Sequence, residues 1–324
     1  MEHPRQPTAL VLRALHLGDL LVAVPALRAL RRALPEHRIV LATPGALAPL
    51  VGLVGTVDEL LPTAAPEELT WPAAPDVAVN LHGTGPQSHR ALDATRPARR
   101  IGYRAEGWPG PPPDEIAANH THERERWCAV LAAHGIPADP ADLRLPPPPG
   151  SRLRHGHAPV LVHAGARFGA KRWPAARFAE VAAALHCAVS PVLLTGTADE
   201  RDLALAVARR AGIAEARVLA GRTDLAELCG LVAGSALVVS GDTGIAHLAA
   251  AFGTPSVTLY GPVGPQRWGP PADGPHAVLD VPAARRGDPF GDDPDPALLA
   301  IGVGDVLRAA AALRGRYVPG LLTT

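Results

Sequence analysis

A single lysine occurs in this chain, at Lys171 in the segment GARFGAKRWP, and the other 30 of the 31 Lys and Arg side chains (31 less 1) are arginine. A sequence rich in Ala, Gly, Pro and Arg is typical of a GC-rich coding bias, which would make Lys171 a chance survivor. Alternatively, position 171 requires a compact ammonium, for instance against a phosphate, because Lys and the planar Arg fork are not interchangeable. The residue alone leaves both interpretations open.

A second candidate site lies in SGDTGIAHLAAAFG, residues 240–253. Its glycines allow a tight turn between an apolar strand and a helix, and the free N–H groups at a helix N-terminus attract phosphate. Asp242, Thr243, Gly244 and His247 lie on this turn or within its first helical turn. Taken alone, the pattern favours an ordinary turn in which Asp242 or Thr243 caps the helix.

A similar arrangement begins the chain, in ALHLGDLLVAVPALRAL, residues 14–30. Gly18 and Asp19 stand where a strand gives way to a helix, so Asp19 is either an ordinary cap or a carboxylate at the mouth of a cleft that could act as a general base. Neither G-x-G-x-x-G after a predicted strand nor G-x-x-x-x-G-K-[ST] occurs. We therefore expect no dinucleotide cofactor.

Composition narrows the classes of protein. A chain of 324 residues with 47% hydrophobic content is long enough for two folded domains. Lys+Arg and Asp+Glu balance at 31 each, which gives no electrostatic reason to expect nucleic acid. Cys128, Cys187 and Cys229 are far apart, which argues against a disulfide scaffold and a metal site. No signal peptide or membrane span is recognised, so we expect a cytoplasmic protein, with peripheral membrane contact left open.

Apolar runs and amphipathic segments alternate along the chain, which predicts parallel α/β sheets. The predicted strands are residues 9–15, 38–42, 76–81, 159–165, 191–196, 216–221, 236–241 and 255–261, and the predicted helices are residues 19–33, 45–54, 174–185, 199–211, 224–233 and 244–252. Four prolines at 146–149 predict a spacer. We expect a first domain at 1–148 and a second at 149–324, both Rossmann-like and facing one another across a cleft, with ligands outside the carboxyl ends of the strands. Residues 106–115 and 282–296 are expected to be surface loops or lids.

Three ordered motifs resemble glycosyltransferase family 9, the heptosyltransferases. These are GD followed by PALRAL near the start, HAGARFGAKRWP in the second half, and DTGIAHLAAAFGTPSVTLYGP. The resemblance implies a GT-B fold and an inverting glycosyltransferase without a metal or other cofactor. It also implies a nucleotide-sugar donor, expected to be ADP-heptose, and a sugar-containing acceptor, the lipopolysaccharide core. The GC-rich composition favours a small-molecule natural product as the alternative acceptor.

Residue roles follow from the same resemblance. Lys171 would meet the donor diphosphate, and Asp242, Thr243, Gly244 and His247 would line the diphosphate and sugar site. Asp19, beside Gly18, would deprotonate the acceptor hydroxyl, and Glu200 would contact the nucleotide ribose. An inverting transfer needs one base and stabilisation of the leaving diphosphate, which a lysine and a helix N-terminus can supply.

The chain departs from the family pattern in two places. Relatives carry Ser or Thr ahead of the lysine where this chain has Gly165 and Ala166, so part of the phosphate contact is either missing or supplied by Arg167. Asn80 replaces a common Asp. Two alternatives stay open: a nucleotide-sugar epimerase, for which His82 and His89 would be the relevant side chains, and a non-catalytic nucleotide-sugar-binding protein.

Overall fold

The computed structural model describes residues 5–150, 158–186 and 190–317. It divides into two compact units, the first unit at Met1–Leu145 and the second unit at Pro146–Thr324. The division falls at the start of the proline run. Residues 151–157 of the predicted spacer, and Cys187, lie outside the described residues.

The first unit contains a five-stranded parallel sheet in the order β3-β2-β1-β4-β5. Its strands are β1 Thr8–Leu12, β2 Arg38–Thr43, β3 Glu59–Pro62, β4 Val77–Asn80 and β5 Arg99–Ile101, and its helices are α1 Leu17–Ala33, α2 Ala48–Val54, α3 Pro86–Ala94, α4 Pro113–Asn119 and α5 Glu123–Ala133. The strand order reverses direction between β1 and β4. In open α/β sheets, ligands bind at such a switch point, beyond the carboxyl ends of the strands.

The second unit contains another five-stranded parallel sheet, in the order β10-β9-β8-β6-β7. Its strands are β6 Val160–His163, β7 Val192–Thr195, β8 Leu237–Gly241, β9 Ser256–Leu259 and β10 His276–Leu279, and its helices are α6 Ala175–His186, α7 Arg201–Arg210, α8 Leu225–Ala233, α9 Gly244–Phe252, α10 Pro265–Trp268, α11 Pro296–Leu299 and α12 Val303–Tyr317. The strand predicted at residues 216–221 is reduced to a single parallel bridge between Leu194 and Val218, beside β7, because Glu215–Arg217 forms a 3₁₀ turn. The switch point here lies between β6 and β8.

The helices next to the two switch points follow from their sequences. In α1, Leu20, Leu27 and Leu30 are at most 1% exposed, and burying each such side chain contributes about 2 kcal/mol. In α9, four of the nine residues are alanine, and the helix ends at Gly253, whose φ of 67° is the left-handed conformation that glycine adopts at low cost. Small side chains let α9 lie close to the sheet, and this fixes the position of its N-terminus.

Several predicted boundaries were wrong. The first strand ends at Leu12 rather than at position 15, and α1 begins at Leu17, two residues before the predicted start. Residues 45–54 form a 3₁₀ turn, Gly45–Leu47, followed by α2, because Pro49 suits the first turn of a new helix. Helix α4 begins inside the segment 106–115 that was expected to be a loop. Helix α4 starts at Pro113 because proline is favoured in the first turn of a helix.

The segment 282–296 is held on the second unit by Asp295. This carboxylate is 3% exposed and accepts from the backbone N–H groups of Arg286 at 3.1 Å, Gly287 at 3.2 Å and Ala297 at 2.9 Å. The loop is therefore anchored by a buried cap of α11. Among the described residues, no helix has both the length and the apolar character needed to cross a bilayer.

Candidate active site

Lys171 and Asp242 meet at the switch point of the second sheet. Lys171 ends a 3₁₀ turn, Gly169–Lys171, in the loop after β6, and Asp242 directly follows the neighbouring strand β8. Lys171 Nζ donates to Asp242 Oδ2 at 2.9 Å, with the carboxylate side chain 7% exposed and the ammonium side chain 23% exposed. The lysine therefore presents its charge at the surface while its counterion lies beneath it.

The N-terminus of α9 adjoins this pair. Thr243 is the N-cap and Gly244 the first helical residue, but within the described chain the Thr243 side chain makes no capping hydrogen bond. The hydroxyls of Thr243 and Ser240 are both buried and have no partner in the described part of the chain. The alternative interpretation expected Asp242 or Thr243 to cap α9, but the Thr243 side chain does not do so. The N–H groups and hydroxyls at this turn suit an anionic or hydroxyl-bearing ligand.

His247 lies one helical turn further on. Its Nε2 is 4.0 Å from Asp242 Oδ1, so Asp242 has Lys171 on one side and this imidazole on the other. The edge of the His247 ring contacts Trp268, with ring centroids 5.9 Å apart. This contact holds the His247 ring in place, and the His247 side chain is 13% exposed.

Glu200 lies after β7, on the other side of β6. Its Oε2 accepts from the N–H of Thr197 at 2.8 Å and is 3.8 Å from Nε2 of His163, the last residue of β6. A Cβ at position 165 would overlap the Glu200 carboxylate, so only glycine leaves room for it there. Burial lowers the pKa of His163, although Glu200 opposes this shift. This buried imidazole is therefore neutral at neutral pH.

Arg167 lies four residues before Lys171 in the loop after β6. It is exposed in the same loop, with its guanidinium carbon 5.4 Å from the centroid of the Phe168 ring, and Phe168 in turn contacts Phe290 edge to face at 5.1 Å. The N–H of Ala170 donates to the carbonyl of Gly291 at 2.8 Å. The segment 282–296 thus supports the loop that carries Arg167 and Lys171.

Asp19 lies after β1 at the switch point of the first sheet, as Asp242 lies after β8 at the switch point of the second. It is the third residue of α1, and its Oδ2 accepts from the N–H of His16, the N-cap, at 3.3 Å. The Asp19 side chain is 25% exposed, and Gly18 precedes it in the first turn of α1. The N-cap is thus His16, whereas the capping interpretation expected Asp19; Asp19 supports the helix start from the N3 position, and its side chain is partly open to solvent.

Arg13 was missed in the sequence, although it interrupts the apolar run ALVLRAL. Its Nε and Nη2 donate to the Asp19 carbonyl at 3.0 and 2.7 Å, and its Nη1 donates to the Leu81 carbonyl. Burial lowers the pKa of Arg13 to about 10, against the opposing attraction of Asp19 and Glu123, so the side chain stays cationic at neutral pH.

The two histidines considered for an epimerase differ in environment. His89 is 4% exposed, its Nδ1 is 3.0 Å from the Gly85 carbonyl, and its ring meets the Trp108 ring edge to face at 4.8 Å. His89 is therefore part of the packing between α3 and Trp108. His82 follows β4 and is half-buried, and burial together with the charge of Arg13 lowers its pKa.

Two Rossmann-like units, each with a parallel sheet and a polar turn at its switch point, define a protein of the GT-B class. Comparison with solved structures shows the same fold. The ADP-heptose lipopolysaccharide heptosyltransferase II of Escherichia coli superimposes with a TM-score of 0.76 at 23% identity, covering 95% of this chain and 99% of that one. A family 9 glycosyltransferase from Veillonella parvula gives a TM-score of 0.75 at 19% identity, with 96% and 97% covered.

The sequence profile of glycosyltransferase family 9 (heptosyltransferase) matches residues 118–284, just over half of the chain, and the chain belongs to this family. Lipooligosaccharide heptosyltransferase 2 of Haemophilus influenzae is 38% identical over 124 residues, which is 36% of each chain. Lipopolysaccharide heptosyltransferase 2 of Escherichia coli is 40% identical over 105 residues, 31% of this chain and 30% of the relative. The matched part spans about a third of the length of these curated relatives.

Proposed function

We propose that this protein is an inverting glycosyltransferase that moves heptose from ADP-heptose to an acceptor hydroxyl. The observation that carries the proposal is the partly exposed Lys171 ammonium, held 2.9 Å from a buried Asp242 beside the N-terminus of α9, in a member of family 9. Three of the four proteins named above are named as heptosyltransferases, and one of these is named for ADP-heptose. Their matching names support the donor and the transferred sugar.

The second domain, residues 149–324, binds the donor in this proposal. Lys171 and the N–H groups of Thr243 and Gly244 would neutralise the diphosphate, as helix N-termini and ammonium groups do elsewhere. Asp242 and His247 lie within 4.0 Å of each other. The Asp242 carboxylate would accept hydrogen bonds from sugar hydroxyls, and the His247 imidazole would donate to them. Glu200, held over Gly165, would accept from the ribose hydroxyls, and exposed Arg167 would add positive charge at the phosphates.

The first domain, residues 1–148, binds the acceptor. Asp19 takes the proton of the acceptor hydroxyl as the oxygen attacks the anomeric carbon, and the bond from that carbon to the diphosphate oxygen breaks on the opposite face. The electron pair leaves with the diphosphate, where Lys171 and the start of α9 stabilise the developing charge. The configuration inverts in this single displacement, and no step requires a metal ion or another cofactor.

The acceptor in this proposal is a sugar-containing molecule, either lipopolysaccharide core or a small-molecule natural product; the names of the relatives, which include lipooligosaccharide and lipopolysaccharide, support the first. A family that uses a nucleotide sugar works where such donors are made, so we assign the protein to the cytoplasm. A lipid-linked acceptor would bring it into peripheral contact with a membrane, and nucleic acid has no part in the reaction.

A ligand screen tests the proposal. A ligand at 100 times its dissociation constant stabilises a protein by about 2.7 kcal/mol, so the correct donor should raise the melting temperature by several degrees. We expect ADP-heptose to give a larger shift than matched UDP- and GDP-sugars, and ADP release to require an added acceptor. No shift with any nucleotide sugar would contradict the proposal, and a larger shift with a UDP-sugar would overturn the assignment of the donor.

A further inference from the structure

Arg13 is a buried cation that none of the roles above uses. It follows β1 and is 1% exposed, the largest of the fully buried side chains in the described chain. Its backbone is fixed on two sides, because its N–H donates to the Ala42 carbonyl at 2.8 Å and its carbonyl accepts from the Thr43 hydroxyl at 2.9 Å. A buried guanidinium is costly unless its N–H groups find acceptors, so its contacts indicate what it does.

The Arg13 side chain joins the two turns at the switch point of the first sheet. One edge of the fork binds the carbonyl of Asp19 in the β1–α1 turn, and the other binds the carbonyl of Leu81, directly after β4. Nη2 is also 3.8 Å from Asp19 Oδ1. Arg13 therefore fixes the residue that carries the proposed base and the residue that precedes His82.

The other surroundings of Arg13 hold the fork in place. Its guanidinium carbon lies 4.8 Å from the centroid of the Trp127 ring of α5, a cation–π contact. Glu123, in the first turn of α5 and 8% exposed, adds an electrostatic attraction. Apolar side chains could join two turns without burying a charge, so a fork aimed at Asp19 is better explained by the need to orient that residue.

We propose that Arg13 is a positioning residue of the transfer reaction. It holds the Asp19 backbone and the Leu81–His82 turn so that the exposed Asp19 carboxylate faces the acceptor hydroxyl. The inference rests on the proposed function, in which Asp19 is the base. The Arg13 side chain is 2% exposed and lies beneath the turn, so it acts through Asp19 and does not touch the acceptor.

The test compares Arg13→Lys and Arg13→Gln with wild type. A base misplaced by about 1 Å can lower the rate roughly a hundredfold, so kcat should fall about ten- to hundredfold in Arg13→Gln and less in Arg13→Lys. Donor affinity should stay unchanged, because the donor contacts lie in the second unit. Arg28→Lys is the matched control: Arg28 lies on α1 and pairs with Asp142 at 2.6 Å, away from the turn, so kcat should not change.

A double variant separates positioning from general weakening. In an Asp19→Asn background the base is already lost, so adding Arg13→Gln should lower kcat less than about threefold, because residues that act as a unit are not additive. A full multiplicative loss would show that Arg13 acts independently of Asp19 and would overturn the proposal. A wild-type rate in Asp19→Asn alone would instead contradict the proposed base, whatever Arg13 does.

A third variant decides the case in which Arg13 variants do not fold. Trp127→Leu removes the ring beneath the fork but leaves the hydrogen bonds to Asp19 and Leu81, and we expect kcat to fall roughly two- to fivefold. A folded Arg13 variant with wild-type kcat would overturn the proposal. The same holds if the Arg13 variants do not fold and Trp127→Leu keeps wild-type kcat, because Arg13 would then be structural only.

Discussion

Each switch point of the molecule carries a pair of one basic and one acidic side chain, 3.8 Å apart in the first unit and 2.9 Å apart in the second, and the burial of the two charges is opposite. In the first unit the cation is buried, with Arg13 2% exposed, and the carboxylate of Asp19 is 25% exposed. In the second unit the carboxylate is buried, with Asp242 7% exposed, and the ammonium of Lys171 is 23% exposed. Each turn thus presents one charge to solvent and keeps the counterion below it.

This inversion matches the two halves of a sugar transfer. A base needs an accessible carboxylate, whereas a leaving diphosphate needs an accessible cation at a helix N-terminus. The difference in burial also explains why the first switch point has an arginine and the second a lysine. The buried cation must satisfy carbonyls in two directions, which suits the fork of Arg13, while the exposed cation at position 171 meets a mobile anion, which suits a point charge on a flexible stem.

Reversing the partly exposed charge of the second unit should have the largest effect on donor binding. Lys171→Glu places a carboxylate against buried Asp242 and against the donor diphosphate, so donor affinity should fall by more than about a hundredfold, with a lower melting temperature. Lys171→Ala should weaken donor binding by roughly ten- to hundredfold, and Lys171→Arg should recover it only in part. Calorimetric titration with ADP-heptose measures all three. Unchanged affinity in Lys171→Ala and Lys171→Arg would show that Lys171 does not bind the donor and is a chance survivor of codon bias.

Filling the space beside Glu200 should have an intermediate effect. In Gly165→Ala the new methyl group displaces the Glu200 carboxylate, which loses its hydrogen bond from Thr197. The displaced carboxylate can then no longer accept from the ribose hydroxyls, and since one such bond is worth about 1 kcal/mol, donor affinity should fall roughly fivefold. Gly52→Ala, at a helical glycine of α2 with no atom within 4 Å of the new Cβ, is the control and should leave affinity unchanged. Wild-type affinity in Gly165→Ala would remove Glu200 from the donor site.

The buried histidine beside Glu200 should give the smallest effect, on stability alone. The folded pKa of His163 is lowered by burial, so the unfolded chain binds its proton more readily, and stability falls as pH drops below the unfolded value of about 6.5. His163→Gln should lose less melting temperature than wild type between pH 7 and pH 5. Because the pKa of His82 in the first unit is also lowered, some dependence should remain. Equal losses in the variant and wild type would show that His163 does not set this dependence.

The sequence predicted the parallel sheets because buried strands and covering helices alternate in hydrophobicity. It also placed Lys171, Asp242 and Asp19 at strand ends, since a parallel sheet brings the carboxyl ends of neighbouring strands to one edge. The buried partner of Asp19 at the first switch point, Arg13, could not be recognised from the sequence. Arg13 looks like an interruption of a strand, and its role depends on the Leu81 carbonyl, 68 residues away.

Other features depended on packing that no local pattern encodes. The segment 282–296 is rich in Pro and Gly and was expected to be a loop or lid, yet buried Asp295 and the Ala170–Gly291 hydrogen bond hold it against the loop of Lys171. His89 suggested chemistry by its type alone, whereas its contacts with Trp108 and Gly85 are structural. Long-range contacts of single side chains decide such cases.

The most direct test is single-turnover transfer by Asp19→Asn over a series of ADP-heptose concentrations. Asn keeps the shape of Asp but cannot take the proton, so the maximal rate should fall by about 10² to 10⁴, or about 3 to 5 kcal/mol on the barrier. The half-saturating donor concentration and the melting temperature should stay at wild-type values, because the side-chain oxygen of Asn can still accept from the N–H of His16. A wild-type maximal rate would contradict the account and leave Asp19 with its capping role alone.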